Sequence, residues 1–129
     1  MAGPPYRVSG TVVQGDGRGR RIGFPTANLE TWPRQVLPAN GVYACWAGLA
    51  DRAAPHPAVV NIGVRPTFGG QSMTVEAHLI HFAGDLYGQT LALDFVQRLR
   101  GEQRFAGIEA LVAQIANDRE AAQQTLASL

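Results

Sequence analysis

Short apolar runs with alternating polar positions occupy the first three quarters of the chain. A period of two, bounded by glycine, proline or aspartate, is typical of β-strands with one buried face. Five runs fit this pattern: Tyr6–Val13, Gly41–Leu49, Pro57–Val64, Met73–Phe82 and Gln89–Val96. Helical periodicity is absent before about residue 106, and the connections are short. The pattern therefore predicts five or six antiparallel strands in a barrel or a sandwich.

The C-terminal segment has a different period. Its apolar residues recur at helical spacing, and its polar residues mostly fall on the opposite side. The apolar stripe consists of Ile108, Leu111, Val112, Ile115, Ala122 and Leu126, and the polar side of Glu109, Asn117, Asp118, Glu120 and Gln123. The pattern predicts an amphipathic helix whose stripe packs on the β-structure as part of the core.

Composition and charge exclude several classes of function. Of the 129 residues, 46% are hydrophobic and 16% are charged, as in an ordinary globular domain. The formal net charge of +1 provides no overall attraction to nucleic acid or to anionic lipid, so neither is predicted as a partner. The arginines are nevertheless concentrated near the start, where residues 1–34 hold five of them against two acids.

The single cysteine, Cys45, lies in an apolar run and cannot form an internal disulfide. We expect a buried, unreactive thiol, because the sequence places no base beside it. A signal peptide and a run of about 20 apolar residues are both absent from the sequence. A cytoplasmic location is predicted.

The segment Gly10–Asn28 begins as a strand and then becomes rich in glycine and arginine. Glycines allow the backbone to approach a ligand closely, and the arginines between them offer forked donors that match phosphate oxygens. The segment is not a Walker A loop, because the chain contains no lysine, and Phe24-Pro25 stands where a dinucleotide fingerprint would begin a helix. A phosphate-binding loop and a solvated surface hairpin both remain compatible with this composition.

Two polar residues follow the glycines. Thr26 and Asn28 are two positions apart, so on an extended segment both side-chain oxygens lie on one face. Neutral oxygens beside bound phosphates are suitable ligands for Mg²⁺. This spacing favours a metal site over the plain hairpin.

Glu76 is the candidate general base. It lies within the apolar run Met73–Phe82, where a carboxylate is costly unless it is solvated or paired. An outward-facing acid on a half-exposed strand is the alternative. His78 and His81 fall on opposite faces of a strand, and no further histidine or carboxylate completes a zinc set, so a zinc site is rejected. His78 is expected to neighbour the Glu76 site.

Six stretches, in order along nearly the whole chain, resemble the signature of the riboflavin kinase family: Gly10–Asn28, Gly41–Tyr43, Asn61–Phe68, Glu76–His78, Asp85–Gly88 and Leu99–Glu102. This family, alone or as the kinase half of bifunctional FAD synthetases, phosphorylates riboflavin with ATP to give FMN and ADP. The resemblance implies a mainly β fold, a six-stranded antiparallel Greek-key barrel with a C-terminal helix packed on it. One domain is then expected over 1–129, with the barrel at about 6–98, a loop at 99–106 and the helix at about 107–127.

The resemblance also implies roles for individual residues. Glu76 matches the catalytic base of the family, and Arg100, Glu102 and Phe105 match the loop that covers the flavin. Thr26 and Asn28, expected from their spacing to hold Mg²⁺, belong to the stretch that carries the resemblance. The residues expected to bind ATP are Gly15, Gly17, Arg18, Gly19, Arg21, Pro25, Thr26 and Tyr87. His81 occupies a position where the family usually has an aspartate. This difference does not involve the residues that are expected to take part in the reaction.

Two other functions remain to be weighed. A non-catalytic sensor of flavin or nucleotide on the same barrel would have no need of Glu76 together with Thr26 and Asn28. A nucleic-acid-binding barrel should have a basic face with exposed aromatic residues, which this composition does not suggest. In bifunctional relatives an adenylyltransferase domain precedes the kinase, so such a domain in a longer parent chain is an expected partner.

Overall fold

A computed structural model describes residues 6–13, 26–32, 35–49, 54–82 and 84–128, apart from the side chains of residues 65 and 66. These residues form six β-strands and one α-helix. The elements are β1 (Tyr6–Val13), β2 (Ala27–Thr31), β3 (Gly41–Leu49), β4 (His56–Thr67), β5 (Gly70–Leu79), β6 (Thr90–Arg100) and α1 (Ile108–Ala127).

The strands close into an antiparallel barrel in the order β1-β2-β5-β4-β3-β6. Strands β3, β4 and β5 are consecutive neighbours, and β6 returns to lie beside β3, which is the Greek-key arrangement. The predicted mainly β fold, a six-stranded barrel with a C-terminal helix, is confirmed.

The barrel interior is filled by every second residue of each strand, as the alternating pattern predicted. On β4, for example, Val60 and Ile62 are fully buried, whereas Asn61 between them is exposed. Cys45 belongs to the same core, and burial raises the pKa of its thiol, with a smaller contribution from the charge of Asp94. The predicted burial of the Cys45 thiol is confirmed.

Helix α1 packs on the outer face of the barrel against β3, β4 and β6. Ala122 and Leu126 are buried there against Ala44 and Ile80. The other end of the predicted stripe is less covered, since Ile108 is 67% exposed. Among the described residues, no helix is long and apolar enough to cross a membrane.

Three boundaries differ from the sequence prediction. Strand β2 was not predicted, because Ala27–Thr31 is short and lacks an apolar alternation; pairing with β1 and β5 makes it a strand. Strand β6 includes Leu99 and Arg100, which were expected in a loop, since Arg100 is the register partner of Val42 on β3. Strand β5 ends at Leu79 and is followed by a turn that includes His81.

His81 adopts a left-handed conformation, with φ of 54°. Histidine, asparagine and aspartate are the non-glycine residues that most readily adopt this conformation. The φ of His81 is therefore one that a histidine readily adopts.

Candidate active site

Glu76 lies between two asparagines on neighbouring strands. In the antiparallel register its Cα partner on β2 is Asn28, and its Cα partner on β4 is Asn61. The flanking residues Val75 and Ala77 belong to the barrel core, so Glu76 faces outward. Asn28 and Asn61 face the same way, because the residues beside each of them also point into the core. The three polar side chains thus form one row on the outer surface.

The strand register places this polar row close to the start of the glycine-rich segment and to Arg100 of the predicted flavin site. On one side, Asn28 pairs with Val13, the last described residue before the glycine-rich segment. On the other side, Asn61 pairs with Val42, which in turn pairs with Arg100 on β6. Because directly opposed antiparallel residues have Cβ atoms about 4.5–5.5 Å apart, each step along the row is a direct neighbour contact.

Thr26 is exposed and immediately precedes β2, two residues before Asn28. The structure therefore brings Asn28 beside Glu76 and leaves Thr26 at the start of the same strand. The predicted phosphate-binding residues Gly15, Gly17, Arg18, Gly19, Arg21 and Pro25 lie outside the described residues.

Tyr87 lies in a turn that is attached to the end of β1. The Gly88 N–H donates to the Val12 carbonyl and the Val12 N–H donates to the Gln89 carbonyl, both at 2.9 Å. Asp85 Oδ1 accepts a hydrogen bond from the Tyr87 N–H at 2.9 Å and so shapes the turn. These bonds hold Tyr87, 64% exposed, next to the point where the glycine-rich segment leaves β1.

Arg100 holds the barrel to the helix. Its Nε and Nη2 donate to the two carboxylate oxygens of Asp118 at 3.0 and 2.8 Å, and its Nη1 donates to the Gly101 carbonyl at 3.0 Å. Gln114 donates a further bond to Asp118 at 3.0 Å. The guanidinium carbon also lies 5.8 Å from the ring centroid of Phe105, within the range of a cation–π contact. Two of the three residues predicted to bind flavin thus contact each other.

Glu102, the third of these residues, lies over β4. A Cβ built on Gly63 would approach Glu102 Oε1 to 3.4 Å and Thr74 Oγ1 to 2.8 Å. Gly63 and Thr74 are Cα partners, one same-face position beyond Asn61 and Glu76. The absence of a side chain at Gly63 therefore lets the loop after β6 reach the strands that carry the polar row.

The sequence predicted no zinc site at the histidines. His78 is buried on the outward face, two residues from Glu76, as expected for a neighbour of that site. His56 Nε2 lies 2.6 Å from the Ile80 carbonyl oxygen, and the His56 imidazole ring packs edge-on against the Phe82 ring. The sequence did not suggest this structural role. Within the described parts of the chain, no three His, Cys, Asp or Glu residues cluster closely enough to hold a metal ion.

The sequence interpretation missed Asn61 and misplaced Asp118. Asn61 carries the same signal as Glu76, a polar residue flanked by core residues on a strand, but only the register shows that the two are neighbours. Asp118 was assigned to the polar side of the helix, whereas it is buried and paired with Arg100. Its spacing of four residues from Gln114 was the available signal.

The polar row has the groups needed for proton transfer to or from a bound hydroxyl. A carboxylate can accept a proton, and the amides on both sides can donate and accept hydrogen bonds. The row is on the outer face of the barrel and the interior is filled, so a substrate would bind across strands β2, β5 and β4.

Comparison with known proteins places these features in one family. A family model described as flavokinase, riboflavin kinase, matches residues 2–126. A bifunctional riboflavin kinase/FMN adenylyltransferase of Escherichia coli K12 is 46% identical over 125 residues, which are 96% of this chain and 39% of the relative. The chain thus spans about two fifths of the length of such curated relatives.

Solved structures support the same fold. A crystal structure of a macrolide-efflux protein from Streptococcus pneumoniae matches 92% of this chain and 38% of that one, with a TM-score of 0.86 and 34% identity. Riboflavin kinase from Trypanosoma brucei matches 98% of this chain and 82% of its own, with a TM-score of 0.66. At 24% identity, the second match is evidence for the fold alone.

Proposed function

The chain belongs to the riboflavin kinase family, and we propose that it transfers the terminal phosphoryl group of ATP to the ribityl 5′-hydroxyl of riboflavin, giving FMN and ADP. The observation that carries this proposal is the outward row in which Glu76 lies directly beside Asn28. That row brings a candidate base and a candidate metal ligand together on adjacent strands, next to the start of the glycine-rich segment.

Glu76 is the proposed general base. Its carboxylate orients the terminal hydroxyl of the ribityl chain and accepts the proton as that oxygen attacks the γ-phosphorus. Phosphoryl transfer needs little covalent chemistry from the protein, and most of the rate enhancement comes from positioning and charge stabilisation. A base on a barrel strand is well suited to positioning the substrate hydroxyl, because both neighbouring strands restrict the backbone of that base.

The residues near the row fit a magnesium ion. Asn28 lies on the outward face and carries an amide oxygen, and Thr26, two positions earlier, carries a hydroxyl oxygen. Mg²⁺ prefers such hard oxygen ligands and completes its shell with water and substrate phosphates. When bound, the ion would neutralise charge on the ATP phosphates; the chain's part is to hold Thr26 and Asn28 at the edge of the phosphate site.

The remaining predicted residues divide between the two substrates. Gly15, Gly17, Arg18, Gly19, Arg21 and Pro25 are proposed to surround the ATP phosphates, with Tyr87 near the nucleotide. The hydrogen bond between the Gly88 N–H and the Val12 carbonyl supports this, since the glycine-rich segment follows Val13, the next residue. On the flavin side, Glu102 and the Arg100–Phe105 pair are proposed to contact the isoalloxazine ring or its chain.

The proposal is tested by incubating the protein with riboflavin, ATP and Mg²⁺ and measuring FMN and ADP by chromatography. We expect equal amounts of both products. A non-catalytic sensor would bind the ligands without forming FMN, and that result would overturn the proposal.

The metal assignment predicts a shift in Mg²⁺ dependence. Replacement of Asn28 or Thr26 by alanine removes one hard oxygen, so the Mg²⁺ concentration that gives half-maximal rate should rise in each variant. Titration of the initial rate against Mg²⁺ measures the shift. Rate curves that coincide with that of the wild type at every Mg²⁺ concentration would contradict the ligand role.

Coupled binding of the two substrates is also expected. Residues 101–105 are mostly exposed and form no regular structure, so the ligand that binds first bears most of the cost of ordering them. Riboflavin should bind about 5–150-fold more tightly with Mg·ADP present, and linkage requires the same factor for Mg·ADP with riboflavin present. Calorimetry in both orders measures it; a riboflavin affinity that is unchanged by saturating Mg·ADP would rule out the coupling.

A longer parent chain with an N-terminal adenylyltransferase domain remains a proposal. It is supported by the Escherichia coli relative, whose name includes that second activity and of which this chain covers 39%. A cytoplasmic location likewise remains a prediction.

A further inference from the structure

Asn61 lies between Glu76, the proposed base, and the place where Glu102 of the proposed flavin-binding loop lies over β4. Along the polar row it is the direct neighbour of Glu76, on the side away from Asn28. Along β4 it is one same-face position from Gly63, the residue over which Glu102 lies. Asn61 is exposed, so its amide is accessible to a ligand.

These positions define the path of a bound substrate, given the proposed function. The terminal hydroxyl of riboflavin must reach Glu76, while the ring must reach the loop that carries Glu102. The ribityl chain connects these two parts of the molecule. Gly63 and Glu76 are diagonal across β4 and β5, so Asn61 is at one of the two corners between them and Thr74 is at the other. Asn61 therefore borders the path of the ribityl chain.

The chemistry of the amide suits this part of the ligand. The ribityl chain carries a hydroxyl on each of its inner carbons, and every hydroxyl both donates and accepts hydrogen bonds. A primary amide has two donor hydrogens and an acceptor oxygen, so one asparagine can either donate a hydrogen bond to a hydroxyl or accept one from it. A carboxylate here would instead stand directly beside Glu76, and like charges opposed on neighbouring strands are destabilising.

We propose that Asn61 is a substrate-binding residue that hydrogen-bonds the ribityl chain of riboflavin and so aligns its terminal hydroxyl with Glu76. The inference rests on the proposed kinase function and adds a contact to it. It assigns Asn61 to the polyhydroxyl chain, whereas the ring is left to the loop after β6.

The test compares two flavins that differ only in this chain. Lumiflavin carries the same ring system with a methyl group in place of the ribityl chain. Dissociation constants of riboflavin and lumiflavin are measured by flavin fluorescence for the wild type and for Asn61→Ala, with Mg·ADP present. Riboflavin affinity should fall about 2- to 12-fold, the usual effect of one lost hydrogen bond, while lumiflavin affinity stays unchanged.

If Asn61 had a merely structural role, its replacement would weaken the binding of both flavins by similar factors. Equal losses for the two flavins, or no loss for riboflavin, would overturn the inference. Asn117→Ala, the same substitution at an exposed site on α1, is the matched control and should leave both affinities unchanged. If Asn61→Ala does not fold, Asn61→Val removes the same amide and retains strand propensity, with the same selective loss expected.

The same preparations separate this inference from the proposed function. FMN formation by the wild type, together with a variant that does not distinguish the flavins, would reject the role of Asn61 alone. A wild type that forms no FMN from riboflavin, ATP and Mg²⁺ would reject the kinase proposal and, with it, the role of Asn61.

Discussion

Replacement of Glu76 by glutamine is expected to lower the turnover number for FMN formation by about 10²–10⁴-fold, the usual contribution of a positioned general base. The amide has nearly the same shape as the carboxylate but cannot accept the proton of the ribityl hydroxyl. Riboflavin affinity should change little, since the amide oxygen still accepts a hydrogen bond. The effect should therefore appear in kcat and not in the dissociation constant.

Single-turnover and steady-state measurements of FMN formation, combined with riboflavin binding by fluorescence, separate the two effects. Glu120→Gln is the matched control, since Glu120 is exposed on α1 whereas the polar row is on β2, β5 and β4; the kcat of this variant should equal that of the wild type. A Glu76→Gln variant with nearly normal turnover would remove Glu76 from the mechanism.

Asp118→Asn should reduce the free energy of unfolding by about 3–5 kcal/mol, the usual cost of removing one partner of a buried ion pair. Asp118 is the buried acceptor of three hydrogen bonds from Arg100 and one from Gln114. Asparagine keeps the volume but leaves the guanidinium charge of Arg100 uncompensated. Since domains are usually stable by only about 5–15 kcal/mol, the loss would be a large fraction of the total.

Another arginine–aspartate pair among the described residues provides a matched control. Arg7 Nε lies 2.6 Å from Asp94 Oδ1, and this contact raises the pKa of Arg7. The side chains of that pair are 63% and 24% exposed, against 20% and 7% for Arg100 and Asp118. Exposed pairs contribute little because water and salt screen them, so Asp94→Asn should change stability only marginally.

Urea denaturation of both variants measures the difference. An Asp118→Asn variant no less stable than Asp94→Asn would show that the buried pair is not a major contributor to stability. The double variant Arg100→Met/Asp118→Leu removes both charges, and its stability should be close to that of the wild type, because no buried charge is left unpaired.

Much of the fold follows from local sequence periods. The strands β1, β3, β4, β5 and β6 and helix α1 were predicted to within a few residues, because periods of two and of 3.6 are properties of consecutive residues. Strand β2 was not, since its pairing with β1 and β5 is what makes it a strand. The C-terminal end of β6 was missed for a related reason, its pairing with β3.

The residue types of the candidate site were also recognisable in the sequence. The sequence predicts Glu76 as a base and Asn28 as a metal ligand, and these roles remain predictions. Nothing in the sequence indicated that residues 48 positions apart are direct neighbours, which the register shows. Cross-strand register is set by the packing of whole faces, so it cannot be read from one segment alone.

The sequence by itself therefore determined the element types, the chemical groups available and the family resemblance, because each depends on residues close together in the chain. The tertiary structure alone decided which groups are neighbours. It placed Asn61 on the other side of Glu76 from Asn28, and it buried Asp118 against Arg100 although the helical pattern assigned it to the polar side. The physical reason is that barrel closure and helix docking juxtapose residues far apart in the chain, and those contacts determine burial, pairing and register.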